Sequence, residues 1–327
     1  MSWLKPIISV LAILIIIYLL GPHPQRPKYD TTLPNVPVAS NSLENFISHQ
    51  ESLHKVKADN EARIIWADST KQPTEYSIVY LHGFSASQEE GNPVHRNIAG
   101  RFKCNLYLSR LAEHGLDTTD AMINLTADEL WESAKQAYAI GKKLGNKVIL
   151  MGTSTGGSLA LQLAAAYPDV AGIILLSPNI EINNSSAWLL NNPWGLQIAR
   201  LVKHSDYNNT GEKKSDYKKY WYNEYRLEGT VALEEYLETA MIPKTFQEVH
   251  QPVLTLYYYK DETHQDNVVR VDAMRKMFDE LGTKKSEKRF IAIPEAGNHV
   301  LGCSIVSKDI VTPEKEITSF MEDVLDL

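Results

Sequence analysis

Cysteine is nearly absent. Cys104 and Cys303 are the only two in 327 residues, too few for a disulfide framework or an all-cysteine zinc site. Basic charge is not in excess either: 33 Lys and Arg stand against 40 Asp and Glu, a net charge of −7. A chain of that sign carries no broad electrostatic footprint for nucleic acid, and none is expected as a partner. Glycine and proline follow no period, which excludes collagen-like and low-complexity architectures. The chain does not lack apolar residues: with 43% of them it can fill a core that a disordered chain cannot. No phosphate-cradling loop, metal constellation or internal repeat is visible, so no cofactor or metal is expected.

One long apolar run is present, at the start. Ile7 to Leu20 is fourteen residues in which only Ser9 and Tyr18 carry polar atoms. A spanning helix wants about 20 apolar residues and a signal-peptide core about 7–15. No Ala-x-Ala cleavage pattern follows, and no cysteine stands ready for lipid attachment. Residues 1–21 are therefore expected to form, with a cleaved signal peptide as the alternative, an uncleaved single-pass membrane anchor. Trp3 and Tyr18 would sit at its interfaces, with the body on the extracytoplasmic side. Residues 22–40 follow, rich in proline (Pro22, Pro24, Pro27, Pro34, Pro37). They read equally as a stiff extended tether or as a loop draped over the body. Asn41 to Lys57 is expected to be helical, with Ser42 as a candidate cap and Leu43, Phe46, Ile47 and Leu53 as its apolar positions.

From Ala62 onward short β-rich runs alternate with helical patterns. The runs are Arg63–Trp66, Tyr76–Leu81, Leu106–Leu108, Val148–Met151, Gly172–Leu176, Val253–Tyr258 and Arg289–Ile293. Those at Val148 and Gly172 are almost continuously apolar, as strands buried on both faces are. A helix is expected up to Leu144 behind the Thr126/Glu129 capping box. Another follows Ser158, a third covers Val268–Leu281, and a last one is capped by Thr312 ahead of Pro313. The alternation predicts an α/β fold with a doubly wound, mostly parallel sheet. Residues 179–251 break the alternation. They are rich in Trp and Tyr and predict a helical cap insertion in a domain spanning 41–327.

Gly152-Thr153-Ser154-Thr155-Gly156 lies between a buried strand and an apolar helix. In that context Gly-x-Ser-x-Gly is a turn that lifts a serine hydroxyl above the sheet edge. The Thr155 N–H opens the helix beside it. His82-Gly83-Phe84 follows an earlier strand, so the Phe84 N–H can join the Thr155 N–H in holding a developing oxyanion. His82 itself reads as a brace for that loop. A serine needs a base, and His299, in the loop after the last strand, can reach over the sheet to Ser154. The base needs a carboxylate. Asp261, Glu262 and Asp266 all follow the strand Val253–Tyr258, and spacing alone does not choose among them.

The order Ser154, Asp266, His299, with His82-Gly83-Phe84 upstream, resembles the α/β-hydrolase superfamily. Within it the chain is similar to carboxylesterase and monoacylglycerol-lipase-like serine hydrolases. Asp266-Asn267-Val268-Val269 matches the family's acid loop, although Lys260–Gln265 adds length before it. The resemblance implies a Ser154–His299–Asp266 triad, an acyl-enzyme, an ester or monoacyl-lipid substrate and no cofactor. Two alternatives share the fold. One is a peptidase or acyltransferase, with Glu234, Glu235 and Glu238 of the cap as candidate amine-binding groups. The other is a non-catalytic binding protein.

Overall fold

The structure is a computed structural model and describes residues 4–327. Its strands are β1 (Arg63–Ile65), β2 (Thr74–Leu81), β3 (Asn105–Leu108), β4 (Gly145–Thr153), β5 (Val170–Leu176), β6 (Tyr207–Asn209), β7 (Glu224–Arg226), β8 (Val253–Tyr257), β9 (Tyr259–Asp261), β10 (His264–Gln265) and β11 (Lys288–Ala292). Its helices are α1 (Leu4–Leu19), α2 (Ser40–Ser52), α3 (Val94–Arg101), α4 (Ala127–Leu144), α5 (Thr155–Ala166), α6 (Gly195–Lys203), α7 (Ser215–Tyr220), α8 (Leu227–Ala240), α9 (Pro243–Gln247), α10 (Val271–Glu280) and α11 (Val311–Asp323). Seven strands make one sheet in the order β1-β3-β2-β4-β5-β8-β11. Only β1 runs antiparallel, against β3. All seven β-rich runs of the sequence are in it.

The sheet is buried on both faces because its side chains alternate between two cores. Val79, Leu81, Val148 and Leu150 face the layer that includes α4, α5 and α10. Ile78, Tyr80, Ile149 and Met151 face α3 and α11. Helix α4 starts where expected: Thr126 Oγ1 accepts from the Glu129 N–H at 3.1 Å. Helix α11 starts earlier than Thr312 implied. The Asp309 carboxylate takes the Val311 and Thr312 N–H groups, and an acid at that end also favours the helix dipole. Helix α2 starts before Ser42, which therefore lies inside it and caps nothing, and it ends at Ser52, leaving Leu53 just past its end and exposed. The insertion carries α6, α7 and α8, and also a short antiparallel ribbon of β6 with β7.

The N-terminal expectation is corrected. No helix among the described residues is long and apolar enough to cross a membrane. Helix α1 has 16 residues, about 24 Å at 1.5 Å per residue, against a hydrocarbon core of about 30 Å. The single-pass anchor, the membrane as partner and the extracytoplasmic placement built on it therefore fall. Trp3 lies outside the described residues. The end of α1 leans on the cap instead: Trp194 Nε1 donates to the Ile17 carbonyl at 3.0 Å, and the Trp194 N–H to Pro22 O at 2.9 Å.

The proline-rich stretch lies along the body as a strap. The Lys28 and Tyr29 N–H groups donate to Asp128 at the start of α4, both at 2.9 Å. Trp131 Nε1 donates to Asp30 O, and the buried Lys135 ammonium to Thr32 O. Val36 is buried, with Tyr29 and Leu33 packed on the same core. Removing the first 39 residues is expected to lower stability by about 2–5 kcal/mol, since three apolar side chains leave the core and Lys135 loses Thr32 O, keeping only Glu132. The urea midpoint reads this. An unchanged midpoint would show that the strap contributes nothing.

Candidate active site

Ser154 sits between β4 and α5 with φ 53° and ψ −119°. A non-glycine residue there costs on the order of 1–3 kcal/mol, and the surroundings hold it in place. Its N–H donates to Leu176 O on β5, and its carbonyl accepts from Gly157, Ser158 and Asn179. The turn is tight enough that a Cβ on Gly156 would lie 1.9 Å from Leu81 O, so only glycine fits. The Thr155 N–H is the first of α5 and has no carbonyl within the helix to bond.

The loop after β2 runs beside this turn. His82 is fully buried, and its Nε2 accepts from the Leu111 N–H at 3.1 Å. The proton therefore sits on Nδ1, which donates to Gly83 O at 2.9 Å. Burial, which outweighs the bond to Gly83, pushes the His82 pKa down to about 4, so the ring stays a neutral brace. The Phe84 N–H has no partner among the described residues. The Phe84 ring packs edge-on to Tyr225 of the cap at 5.3 Å.

His299 follows β11. Its Nδ1 lies 2.6 Å from Asp266 Oδ2, and its Nε2 is buried without a hydrogen-bond partner. Burial alone would lower the His299 pKa. The attraction of Asp266, its hydrogen bond and the charge of Glu90 together outweigh burial and raise it. Asp266 is buried too, which disfavours its charge. His299 and the Val268 and Val269 N–H groups more than compensate, and its pKa is lowered. Asp261 and Glu262 are elsewhere. Asp261 lies in the exposed β9–β10 hairpin and accepts from Thr263 and His264, while Glu262 accepts from the Tyr259 hydroxyl.

Ser154, Phe84, His299 and Glu90 line one cavity of about 810 Å³, roofed by the cap with Tyr217 and Trp221. Those two rings stack at 4.7 Å. Sequence reasoning missed Glu90. Nothing in Gln88-Glu89-Glu90-Gly91 separates the two acids, but a 3₁₀ turn leaves Glu89 half-buried and turns Glu90 inward at 2% exposure. Burial pushes its pKa up to about 7, against the Gly83 N–H, His299 and Trp221.

A family model described as serine aminopeptidase, S33, matches residues 125–299, more than half of the chain. The chain belongs to this family of α/β-hydrolases. A thermostable monoacylglycerol lipase from Bacillus sp. (strain H-257) is 26% identical over 144 residues, 43% of this chain. The chain spans 56% of that relative's length. Among solved structures, one of a metagenome-derived lipolytic enzyme pair superposes with a TM-score of 0.60 at 17% identity, over 82% of this chain and 99% of the other. Est1E from Butyrivibrio proteoclasticus, solved with ferulic acid bound, gives 0.54 at 15% identity, over 82% and 96%. At such identities the superpositions speak for the fold, and they bear out the α/β-hydrolase resemblance read from the sequence.

Proposed function

We propose that this protein hydrolyses carboxylic esters, monoacyl lipids among them, through an acyl-enzyme on Ser154. The observation that carries the proposal is the buried Asp266–His299 pair, with His299 Nε2 unpartnered in a cavity that Ser154 also lines. Ser154 Oγ attacks the ester carbonyl while His299 Nε2 takes its proton. Asp266 keeps the other ring proton on Nδ1 and stabilises the imidazolium. The Phe84 and Thr155 N–H groups receive the oxyanion. His299 then protonates the leaving alcohol, and water repeats the sequence to free the acid. Residues 41–327 form the hydrolase domain, and about 179–251 the cap over the acyl site.

A cavity of about 810 Å³ with Ile182, Leu189, Ile198 and Val202 in its wall suits an apolar acyl chain. The monoacylglycerol lipase relative supports the same substrate class. The peptidase reading is less supported. Glu234, Glu235 and Glu238 do not line the cavity of Ser154, and Asn191 donates to both Glu235 and Glu238. A panel of p-nitrophenyl esters from short to long chains, beside amino-acid anilides, tests this. Turnover of the esters is expected to dominate, and the reverse would overturn the reading. A fluorophosphonate probe is expected to label Ser154; a non-catalytic protein would not react.

The pH dependence follows from His299. It acts as base only when neutral, and its pKa is raised above the ordinary 6.5. kcat/KM is therefore expected to climb with pH through that raised value. A pH–rate profile whose acidic limb has its midpoint below 6.5 would contradict the assignment of His299.

A further inference from the structure

We propose that Glu90 is a positioning residue that braces the oxyanion loop beneath the cap and holds the Phe84 N–H on target. The inference rests on the reading of Ser154 and Phe84 given above. Gly83 precedes Phe84, and a glycine there is free to swing unless both its polar groups are held. The Gly83 N–H donates to Glu90 Oε2. The Gly83 carbonyl accepts from His82 Nδ1 and from the Ala86 N–H, at 2.9 and 3.3 Å. That carbonyl and the Phe84 N–H belong to one planar trans peptide, so they point in opposite directions. Pinning the carbonyl against His82 and Ala86 leaves the Phe84 N–H aimed the other way. Glu90 fixes the glycine from its other side.

The carboxyl sits close to the reacting groups. A Cβ on Gly83 would lie 2.9 and 3.0 Å from the two Glu90 oxygens and 3.1 Å from Ser154 Cβ. From the cap, the Trp221 indole lines the same cavity beside Glu90 and favours its charged form. One buried acid thereby links the oxyanion loop to the neighbourhood of the nucleophile, beneath the cap.

Glu90 also acts on the base. Its charge is among the influences that raise the His299 pKa. The other titratable groups facing it are Tyr80 on β2, Tyr217 on α7, Cys303 after β11 and the adjacent Glu89. Burial pushes both tyrosines and Cys303 up, Tyr217 and Cys303 to about 12, so they stay neutral where His299 titrates. Asp266, the remaining charge on His299, stays ionised there. Glu90 is thus the neighbour whose removal shifts the base without touching its hydrogen bond.

The test compares Glu90→Ala and Glu90→Gln by kcat, KM, pH–rate profile and NMR titration of the His299 imidazole. In Glu90→Ala, kcat is expected to fall about 10- to 100-fold with KM little changed, because an oxyanion donor acts in the transition state. Glu90→Gln offers an amide oxygen to the Gly83 N–H and is expected to recover about tenfold over Glu90→Ala. Both variants are expected to lower the His299 pKa, for the loss of a nearby negative charge. The proposal is overturned if Glu90→Ala keeps kcat within twofold, or if the loss appears in KM alone. A loss confined to substrates with a free amine would overturn it too, making Glu90 a recognition group. If Glu90→Ala does not fold, Glu90→Gln decides: an unmoved His299 titration sinks the idea. Failure of the ester reading is separable. It would show as wild-type protein that takes no fluorophosphonate label, while the His299 titration still judges Glu90.

Discussion

Replacing Ser154 by alanine is expected to abolish ester turnover, by about 10⁶ in a triad of this kind, with the fold intact. The size of the effect follows from the division of labour. In the proposed mechanism His299 and Asp266 work through the acyl-enzyme that this hydroxyl forms, so without it their arrangement has nothing to act on. The fold should survive because the backbone of residue 154, and not its hydroxyl, makes the turn: its N–H goes to Leu176 and its carbonyl serves three amides. A glycine at the same position separates strain from chemistry. The φ of 53° costs serine about 1–3 kcal/mol, and glycine adopts it freely. Glycine's extra chain entropy costs about 0.5–1 kcal/mol, so relief wins. Ser154→Gly should be as inactive as Ser154→Ala and melt higher. Turnover and thermal melts of both read the result, and an alanine variant keeping a tenth of wild-type turnover would remove Ser154 from the nucleophile's role.

The sheet was legible because each of its strands announces itself locally. Val148–Met151 and Gly172–Leu176 are apolar without interruption, and only burial on both faces accommodates that. The turn at Ser154 was legible for a related reason: glycine at 156 has no substitute where Leu81 O lies 1.9 Å from the missing Cβ. What stayed hidden depends on contacts distant in sequence. The strap's course is set by Asp128, Trp131 and Lys135, a hundred residues downstream, and prolines say nothing about which surface they follow. Glu90 and Glu89 have the same chemistry, and a single 3₁₀ turn decides which is buried. The apolar run at the start misled through composition. Counting apolar residues from Ile7 to Leu20 suggested a span, while the helix that forms is too short for one.

The choice between Asp261 and Asp266 turns on a detour in the chain. Asp261 is nearer the end of β8 in sequence, which argues for it. In space the order reverses. Residues 259–265 leave the sheet as the β9–β10 hairpin and come back, and the Asp266 N–H donates to Tyr258 O at 3.1 Å. The extra length is folded away, and Asp266 stands at the strand end as though the hairpin were missing. In an Asp266→Asn variant the amide oxygen can keep the Val268 and Val269 N–H bonds that Asp266 Oδ1 now accepts. The fold is therefore expected to hold. The amide NH₂ then faces His299 and donates to Nδ1, which moves the ring proton to Nε2. A histidine protonated there cannot take the proton of Ser154. Turnover is expected to drop by about 10⁴, the scale seen when a triad acid becomes an amide. Asp261→Asn alters only an exposed hairpin and is expected to change turnover less than about tenfold, under about 1.4 kcal/mol of barrier. Turnover of the two variants, with circular dichroism for folding, decides. A folded Asp266→Asn protein near the wild-type rate beside an inactive Asp261→Asn would reverse the assignment.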